Sequence, residues 1–192
     1  MRAILVLAVG LLLAARPACA EKYLSLAAGG WLPERTSGLN YGQGRTDVAY
    51  DTGWGVSGAF GGAFDNGLRL ETELAYRQAA ARGAADNSWA AAWLLNLWWG
   101  MRTDSPLTPY LGGGAGLGRG HRASPGAGYF LGTGVAYQAG GGVDVRLAEA
   151  LSLDVGYRYF GVAGIGDLSN YSVGTFDLSG SSVMAAVRFS FR

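Results

Sequence analysis

Apolar and polar residues alternate along most of the chain. A period of two indicates β-strand, because successive side chains of a strand point to opposite faces of a sheet. The clearest case is "LRLETELAYRQ" at residues 68–78, in which the leucines share one face and charged side chains the other. Eight such strands are predicted. They span residues 22–32, 50–64, 67–78, 88–102, 108–120, 131–146, 150–161 and 178–192.

The segment 88–102 has the least regular pattern of the eight. Leu94 and Trp98 fall on the same face as Asn96 and Arg102, so the segment alone is also consistent with a buried helix. It is too short to cross a membrane as a helix, and it lies between two regular strands. We therefore predict a strand here.

Short and long connections alternate between the predicted strands. The short ones are "FDNGL", "RTDSPLTP" and "RLAEALS", and the first contains the Asn-Gly pair typical of hairpins. The long ones include "PERTSGLNYGQGRTDVAY" and "GRGHRASPGAGY". This asymmetry is typical of outer-membrane barrels, which have short periplasmic turns and longer outer loops. A soluble, lipocalin-like cup stays open as an alternative.

Aromatic residues lie mostly toward the ends of the predicted strands. Trp and Tyr favour a membrane interface because their rings are apolar and their N–H or O–H groups need a polar partner. We therefore expect the leucine-rich faces to contact lipid and the charged faces to be enclosed. The aromatic residues concerned are Trp31, Trp54, Phe64, Tyr76, Trp89, Trp99, Tyr110, Tyr159, Phe189 and Phe191.

The first 20 residues have the features of a secretory signal peptide. Arg2 precedes an apolar run over residues 3–15, and Ala18-Cys19-Ala20 is a small-residue cleavage site. We expect cleavage after Ala20, which leaves residues 21–192 as one barrel domain without cysteine. Cleavage removes two of the 15 basic residues and none of the 14 acidic ones, so the net charge becomes −1. Nothing in this balance favours a nucleic-acid partner.

Four stretches resemble the eight-stranded outer-membrane β-barrel family that includes the transmembrane domain of outer membrane protein A and the opacity-type surface antigens. They are "GWGVSGAFGGAFDNGLRLETELAYR" (53–77), "TPYLGGGAGLG" (108–118), "GVAYQAGGGVDVRL" (134–147) and "LSLDVGYRYFG" (151–161). The resemblance implies an all-β, eight-stranded antiparallel up-and-down barrel in the Gram-negative outer membrane. It also implies outer-membrane lipids and the assembly machinery as partners, and a monomer. Family members commonly end on an aromatic residue, whereas Arg192 follows Phe191 here.

The charged faces of the strands form the candidate site. An eight-stranded barrel is just wide enough for side chains to fill it, and an isolated buried ion costs several kcal/mol. We therefore expect a lumen filled by ion pairs, with a narrow gated conduit as the alternative. The predicted lumen charges are Arg69, Glu71, Glu73, Arg77, Arg102, Asp144, Arg146, Asp154, Arg158 and Arg188.

The sequence offers little for catalysis. His121 is the single histidine, and we interpret it as a solvated loop residue despite Ser124 nearby. We predict no catalytic, metal or cofactor site. The favoured function is an integral outer-membrane barrel with a structural, surface-antigen or adhesion-like role, and loop residues such as Glu34, Arg35 and Phe176 would meet any extracellular ligand. A narrow porin, a soluble exported ligand-binding barrel and, last, a lipid A deacylase are the alternatives.

Overall fold

The chain folds as β-strands joined by turns and loops. The computed structural model describes residues 21–40, 44–101, 103–124, 128–166 and 175–191. Among these residues, none forms a helix with the length and apolar character needed to cross a membrane. The strands are β1 Glu21–Pro33, β2 Thr36–Asn40, β3 Gly44–Val48, β4 Gly53–Ala63, β5 Leu68–Ala80, β6 Asn87–Gly100, β7 Leu107–Ser124, β8 Gly128–Ala148, β9 Leu151–Gly166 and β10 Phe176–Phe191.

Eight of the strands close into an antiparallel barrel. From β4 to β10, each strand pairs with the next one along the chain, and β1 closes the barrel between β4 and β10. The predicted eight-stranded up-and-down barrel is therefore confirmed. The segment 88–102, which has the least regular sequence pattern, is also mainly strand, because β6 pairs with β5 and with β7 along most of its length. The predicted signal peptide, residues 1–20, lies outside the described residues.

Short turns gather at one end of the barrel, called the turn end below. The Asn-Gly signal holds, because Gly67 has a φ of 86° and the Asn66 side chain accepts a hydrogen bond from the Leu68 amide at 3.1 Å. A side chain with a Cβ rarely adopts this left-handed conformation, which explains the glycine. Only residues 149–150 separate β8 from β9. Both ends of the barrel sheet, Glu21 and Phe191, also lie at the turn end.

The opposite, loop end contains more regular structure than the sequence predicts. Strands β2 and β3 form a separate hairpin within the first long connection. Strands β7 and β8 stay paired out to Ser124 and Gly128, so the predicted long connection between them is mostly strand. The ladder there is rich in glycine, which gives no alternating side-chain pattern, whereas backbone hydrogen bonds need no side chain.

The strands are strongly staggered around the barrel. A row of paired residues that starts at Leu26 in β1 passes through β4 to β9 and reaches β10 between Phe176 and Leu178. This is on the loop side of Gly180, which pairs with Pro33 at the end of β1. The row therefore rises toward the loop end as it goes round, as the tilt of a closed barrel requires. Its members from β1 to β8 are Leu26, Gly58, Leu74, Trp93, Leu117 and Val135.

The two faces of the wall have the chemistry predicted for β5. Leu74 is 67% exposed on the outside, and Glu73 is 1% exposed inside. Outward Trp54 and Trp99 agree with the expected interface aromatics. The same expectation is wrong for Trp31 and Tyr110, which are buried, because position along a strand does not fix which face a residue occupies.

Candidate functional site: the barrel lumen

Nine of the ten predicted lumen charges are described, and they come from β5, β8, β9 and β10. Glu71, Glu73, Arg77, Asp144 and Asp154 are buried in the barrel. Arg102 lies outside the described residues. Arg146 differs from the rest because it is exposed, at the end of β8 where the lumen opens.

Glu73 is the centre of a polar network that crosses the lumen. It accepts hydrogen bonds from Asn96 Nδ2 and Gln138 Nε2, each at 2.7 Å. Arg158 forms an ion pair with it at 3.0 Å. These partners come from β6, β8 and β9, so one carboxylate on β5 ties together four strands across the barrel. Burial makes each of these bonds stronger than it would be in water.

Glu71 lies one inward position closer to the turn end and is bound by neutral donors. The Tyr23 hydroxyl and Trp98 Nε1 each donate to its carboxylate at 2.8 Å, and Asn96 Nδ2 donates at 3.1 Å. Three donors to a carboxylate satisfy much of its hydrogen-bonding capacity. The polar network, defined here, consists of Tyr23, Glu71, Glu73, Asn96, Trp98, Gln138 and Arg158.

Sequence reasoning missed the neutral members of this network. It expected the charges to pair with one another, whereas Tyr23, Trp98 and Gln138 supply the donors for much of the negative charge. A signal exists for two of them, because Gln138 alternates in step with Asp144 on β8 and Trp98 alternates in step with the polar Asn96 on β6. Leu94 and Trp98, which made β6 look irregular, are therefore lumen residues in regular alternation.

A second group of charges lies between the polar network and the turn end. Arg188 and Asp144 form an ion pair. The Tyr110 hydroxyl donates to Asp154 at 2.8 Å, and the Arg69 guanidinium lies 4.8 Å from the centre of the Tyr110 ring. Cations above aromatic rings are stabilised by the electron-rich face of the ring. Aromatic side chains therefore stabilise some of the lumen charges that were expected to be stabilised by ion pairs alone.

A polar cavity of about 510 Å³ opens at the turn end. Its wall carries both positive and negative side chains, which favour water. The cavity is therefore a hydrated vestibule between the turn end and the filled part of the lumen. Charged residues that line it include Arg69, Asp144, Arg146, Glu149 and Arg188.

An apolar layer fills the lumen on the loop side of the polar network. Its larger side chains are buried almost completely, and β6, β8, β9 and β10 supply most of them. The change from polar to apolar side chains can be followed along a single strand. In β9, the inward residues Asp154 and Arg158 are followed, toward the loop end, by inward Phe160 and Val162. The apolar layer consists of Ala75, Ala90, Ala92, Leu94, Ala136, Phe160, Val162, Ile165, Phe176 and Leu178.

Arg77 lies at the border of the apolar layer and is 1% exposed. Its guanidinium lies 3.8 Å from the centre of the Phe160 ring, and its Nε donates to the Ser182 hydroxyl at 3.3 Å. Neither terminal nitrogen has a hydrogen-bond partner within the described residues. Arg77 thus differs from Arg158, whose charge meets Glu73 directly.

Inward glycines of β7 leave room for the apolar layer. A Cβ at Gly118 would lie 2.6 Å from Val162 Cγ2, closer than real Cβ atoms approach. The inward glycines of β7 are therefore required for close packing against β9.

Two expectations about the loop end are wrong. Phe176 belongs to the buried apolar layer and is not available for recognition, because it starts β10 on an inward position. His121 is largely buried on the outer face of β7, stacked on Trp89 at 5.8 Å, with Nδ1 3.0 Å from the Asn87 carbonyl oxygen. Within the described part of the chain, no three His, Cys, Asp or Glu side chains are grouped as metal ligands would be.

Comparisons with known proteins give one family and several similar folds. The family model of the outer membrane protein beta-barrel domain matches residues 4–189. Similar solved structures include Neisserial surface protein A, at 19% identity over 88% of this chain and 97% of that one, with a TM-score of 0.60. OprG from Pseudomonas aeruginosa is 15% identical over 91% and 97%, with a TM-score of 0.58. AlkL is 16% identical over 93% of both chains, with a TM-score of 0.53. A comparison with curated protein sequences finds no match.

Enzymes occur among proteins of this architecture. The outer membrane protease OmpT from Escherichia coli is 8% identical over 90% of this chain and 97% of that one, with a TM-score of 0.50. Such a likeness shows the fold alone. That the present chain is not an enzyme stays a prediction from its sequence.

Proposed function

Since the chain belongs to the outer membrane protein beta-barrel family, we propose that it is an integral outer-membrane protein, closed to solutes, whose role is structural or one of surface recognition at its loop end. The family implies the outer membrane of a Gram-negative cell. The observation that carries the closed lumen is the stacking of the apolar layer on the polar network inside one barrel.

Two kinds of barrier lie in series along the lumen. In the polar network the carboxylates are already bound by fixed donors, so a passing ion would have to displace several hydrogen bonds at once. In the apolar layer a hydrated ion would lose its water without gaining polar partners, which is strongly unfavourable. Either barrier slows passage, and together they favour a filled lumen over a conduit.

The loop end then offers the surface for recognition. The β2–β3 hairpin adds structure beyond the barrel strands there. Glu34, next to this hairpin, accepts hydrogen bonds from Tyr159 at 2.9 Å and from Ser179 at 2.8 Å, which fixes the base of the first loop to the rim. A fixed base presents a loop in a limited set of positions, as recognition by surface loops requires.

A narrow pore is the second candidate, and the turn-end cavity favours it. The cavity is polar, holds about 510 Å³ and opens at the turn end, as the inner entrance of a pore would. For conduction, the apolar layer above it would have to open.

Conductance of the purified full chain in planar bilayers separates the two candidates. We expect no stable current from the wild type, and currents from the double variant Leu94→Ala/Phe160→Ala, which removes two large side chains from the apolar layer. Leu95→Ala, on the outer face of the same wall, is the matched control and should stay closed. A steady wild-type current that persists in the control would favour the pore and overturn the closed barrel.

Surface exposure is tested on intact cells. An epitope tag placed between β2 and β3 should bind antibody from outside, whereas the same tag in the Asp65–Asn66 turn should bind only after the outer membrane is opened. Labelling of the turn tag in intact cells would reverse the orientation and remove the recognition role. Both tagged proteins should keep a compact form in detergent that boiling converts to the unfolded form.

A further inference from the structure

The outer wall near the loop end carries a row of neighbouring aromatic rings. Trp54 and Tyr76 are 5.7 Å apart between ring centres, Tyr76 and Trp89 are 6.1 Å apart, and Trp89 and His121 are 5.8 Å apart. The row crosses β4 to β7. Because amphipathic rings favour the boundary between hydrocarbon and headgroups, it marks the outer membrane interface on this side of the barrel.

A groove of about 790 Å³ lies in the wall on the hydrocarbon side of this ring row. Small residues, Gly58 and Ala91, lie between larger apolar ones such as Leu74, Trp93 and Leu117. The groove extends from Leu26 on β1 to Thr133 on β8 and therefore rises toward the loop end with the register rows. The groove is shallow and open along its length, which suits an elongated apolar chain and not an enclosed ligand.

Among the described residues, Arg119 is the one cation that lines this groove. Arg119 is outward-facing and exposed on β7, two residues closer to the turn end than His121. No ion pair or hydrogen bond to Arg119 occurs within the described residues. An arginine is unfavourable in the centre of the hydrocarbon but not near the interface, where its long side chain reaches the headgroups, so Arg119 is placed to contact a phosphate there.

We propose that the groove binds a phosphorylated glycolipid of the outer leaflet, with one acyl chain along Leu74, Trp93 and Leu117 and a phosphate on Arg119. The groove supplies apolar surface where the acyl chain would lie, and the cation stands at the end nearest the headgroups. An arginine suits a phosphate because its planar fork can donate two hydrogen bonds to it. The outer leaflet follows from the long loops, which lie on the outer side in this class of barrel.

The proposal rests on the membrane placement in the proposed function but not on a closed lumen. Conductance tests whether the lumen is closed, whereas the lipid experiment below tests binding to the outer wall. Either proposal can therefore be contradicted without affecting the other.

Fluorescence of Trp93 provides the test, with the full chain in vesicles of phosphatidylcholine whose acyl chains carry bromine, a quencher. Unbrominated lipid A, phosphatidylglycerol or phosphatidylcholine is then added in equal amounts. We expect lipid A to relieve quenching several-fold more than phosphatidylcholine does, because it displaces brominated lipid from the groove. Trp93→Phe removes the reporter and should abolish most of that difference.

Charge and shape are tested by separate variants. Arg119→Gln should abolish the preference for lipid A and Arg119→Lys should keep much of it, while Lys22→Gln, which removes an outward cation at the turn end, should leave it unchanged. Gly58→Leu should also abolish it, because a Cβ there meets only Leu26 Cδ2 at 3.5 Å and the added side chain can fill the groove.

Several results would overturn the proposal. They are equal relief by lipid A and phosphatidylcholine in the wild type, equal relief by lipid A and phosphatidylglycerol, an unchanged preference in Arg119→Gln or Gly58→Leu, and an equal loss in Lys22→Gln. All variants change outward side chains, and the shift of the compact form on boiling verifies that each is folded.

Discussion

The polar network and the apolar layer fill the same barrel in opposite ways. In the polar network, two carboxylates from β5 meet donors from β1, β6, β8 and β9. In the apolar layer, aliphatic and aromatic side chains meet one another. Both halves are closely packed, but hydrogen bonds have strict geometry and apolar contacts do not.

Because of this difference, the polar network and the apolar layer have separate roles in the barrel. A shift of one residue in β1, β6, β8 or β9 would turn a donor of the polar network outward and leave a carboxylate unsatisfied, so the network specifies the register of these strands. The apolar layer tolerates rearrangement but excludes water and ions, so it seals the lumen. The predictions below test this division by changing one half at a time.

Glu73→Ala should have the largest effect. The change removes the carboxylate that binds Arg158, Asn96 and Gln138 and leaves the Arg158 charge buried without its partner. Loss of one member of a buried ion pair costs about 3–5 kcal/mol. We expect the free energy of unfolding in urea, measured in detergent micelles, to fall by about 4 kcal/mol on this basis.

A second change distinguishes the lost pair from lost packing. Combining Glu73→Ala with Arg158→Met should recover part of the loss, because the uncompensated charge is then gone. If the double variant is less stable than Glu73→Ala alone, the network does not act through this ion pair.

Leu94→Ala tests the apolar layer and should cost somewhat less. Leu94 is completely buried, and its removal leaves a cavity that the rigid barrel wall cannot close. Leucine to alanine changes in cores cost about 2–5 kcal/mol, and we expect about 3 kcal/mol in the same urea experiment. Leu74→Ala, on the outer wall, is the control and should change the free energy little. Equal losses in both variants would mean that the layer is not a packed core.

Much of this architecture could be predicted from the sequence, and particular residues show why. The inward parity of Glu71, Glu73, Asp154 and Arg158 follows from strict alternation on β5 and β9, which needs only the period of a strand. The turn at Gly67 follows from the Asn-Gly pair. These are local signals, and on regularly alternating strands such as β5 and β9 they are sufficient to assign the inward face.

The partners within the lumen could not be predicted in the same way. Glu71 is separated from Tyr23 by 48 residues along the chain and from Trp98 by 27, and their contact depends on the stagger of the closed barrel. The sequence predicted charge–charge pairing because it shows charge but not distance. For the same reason it did not show that Arg77 lies against Phe160 at 3.8 Å while Arg158 reaches Glu73.

Arg77→Met should have a smaller effect of opposite sign. Arg77 is a cation at the border of the apolar layer, and its terminal nitrogens have no hydrogen-bond partner within the described residues. Methionine keeps a long side chain against Phe160 and removes this buried charge, so we expect stability to rise by about 1 kcal/mol. Arg158→Met is the matched control and should lower stability instead. A loss in Arg77→Met as large as in the control would place Arg77 functionally within the polar network.

Arg82→Gln should have the smallest effect on the free energy of unfolding. It tests whether burial or contact distance determines how much an ion pair contributes to stability. Arg82 and Asp51 form an ion pair at the rim with an N–O distance of 2.6 Å, shorter than the 3.0 Å between Arg158 and Glu73. Their side chains are 65% and 55% exposed, so water and salt screen the attraction. Exposed pairs contribute about 0.2–1 kcal/mol, and we expect a loss of about 0.5 kcal/mol that disappears at high salt. A loss comparable to that of Glu73→Ala would show that contact distance, and not burial, sets the strength of charge pairs in this barrel.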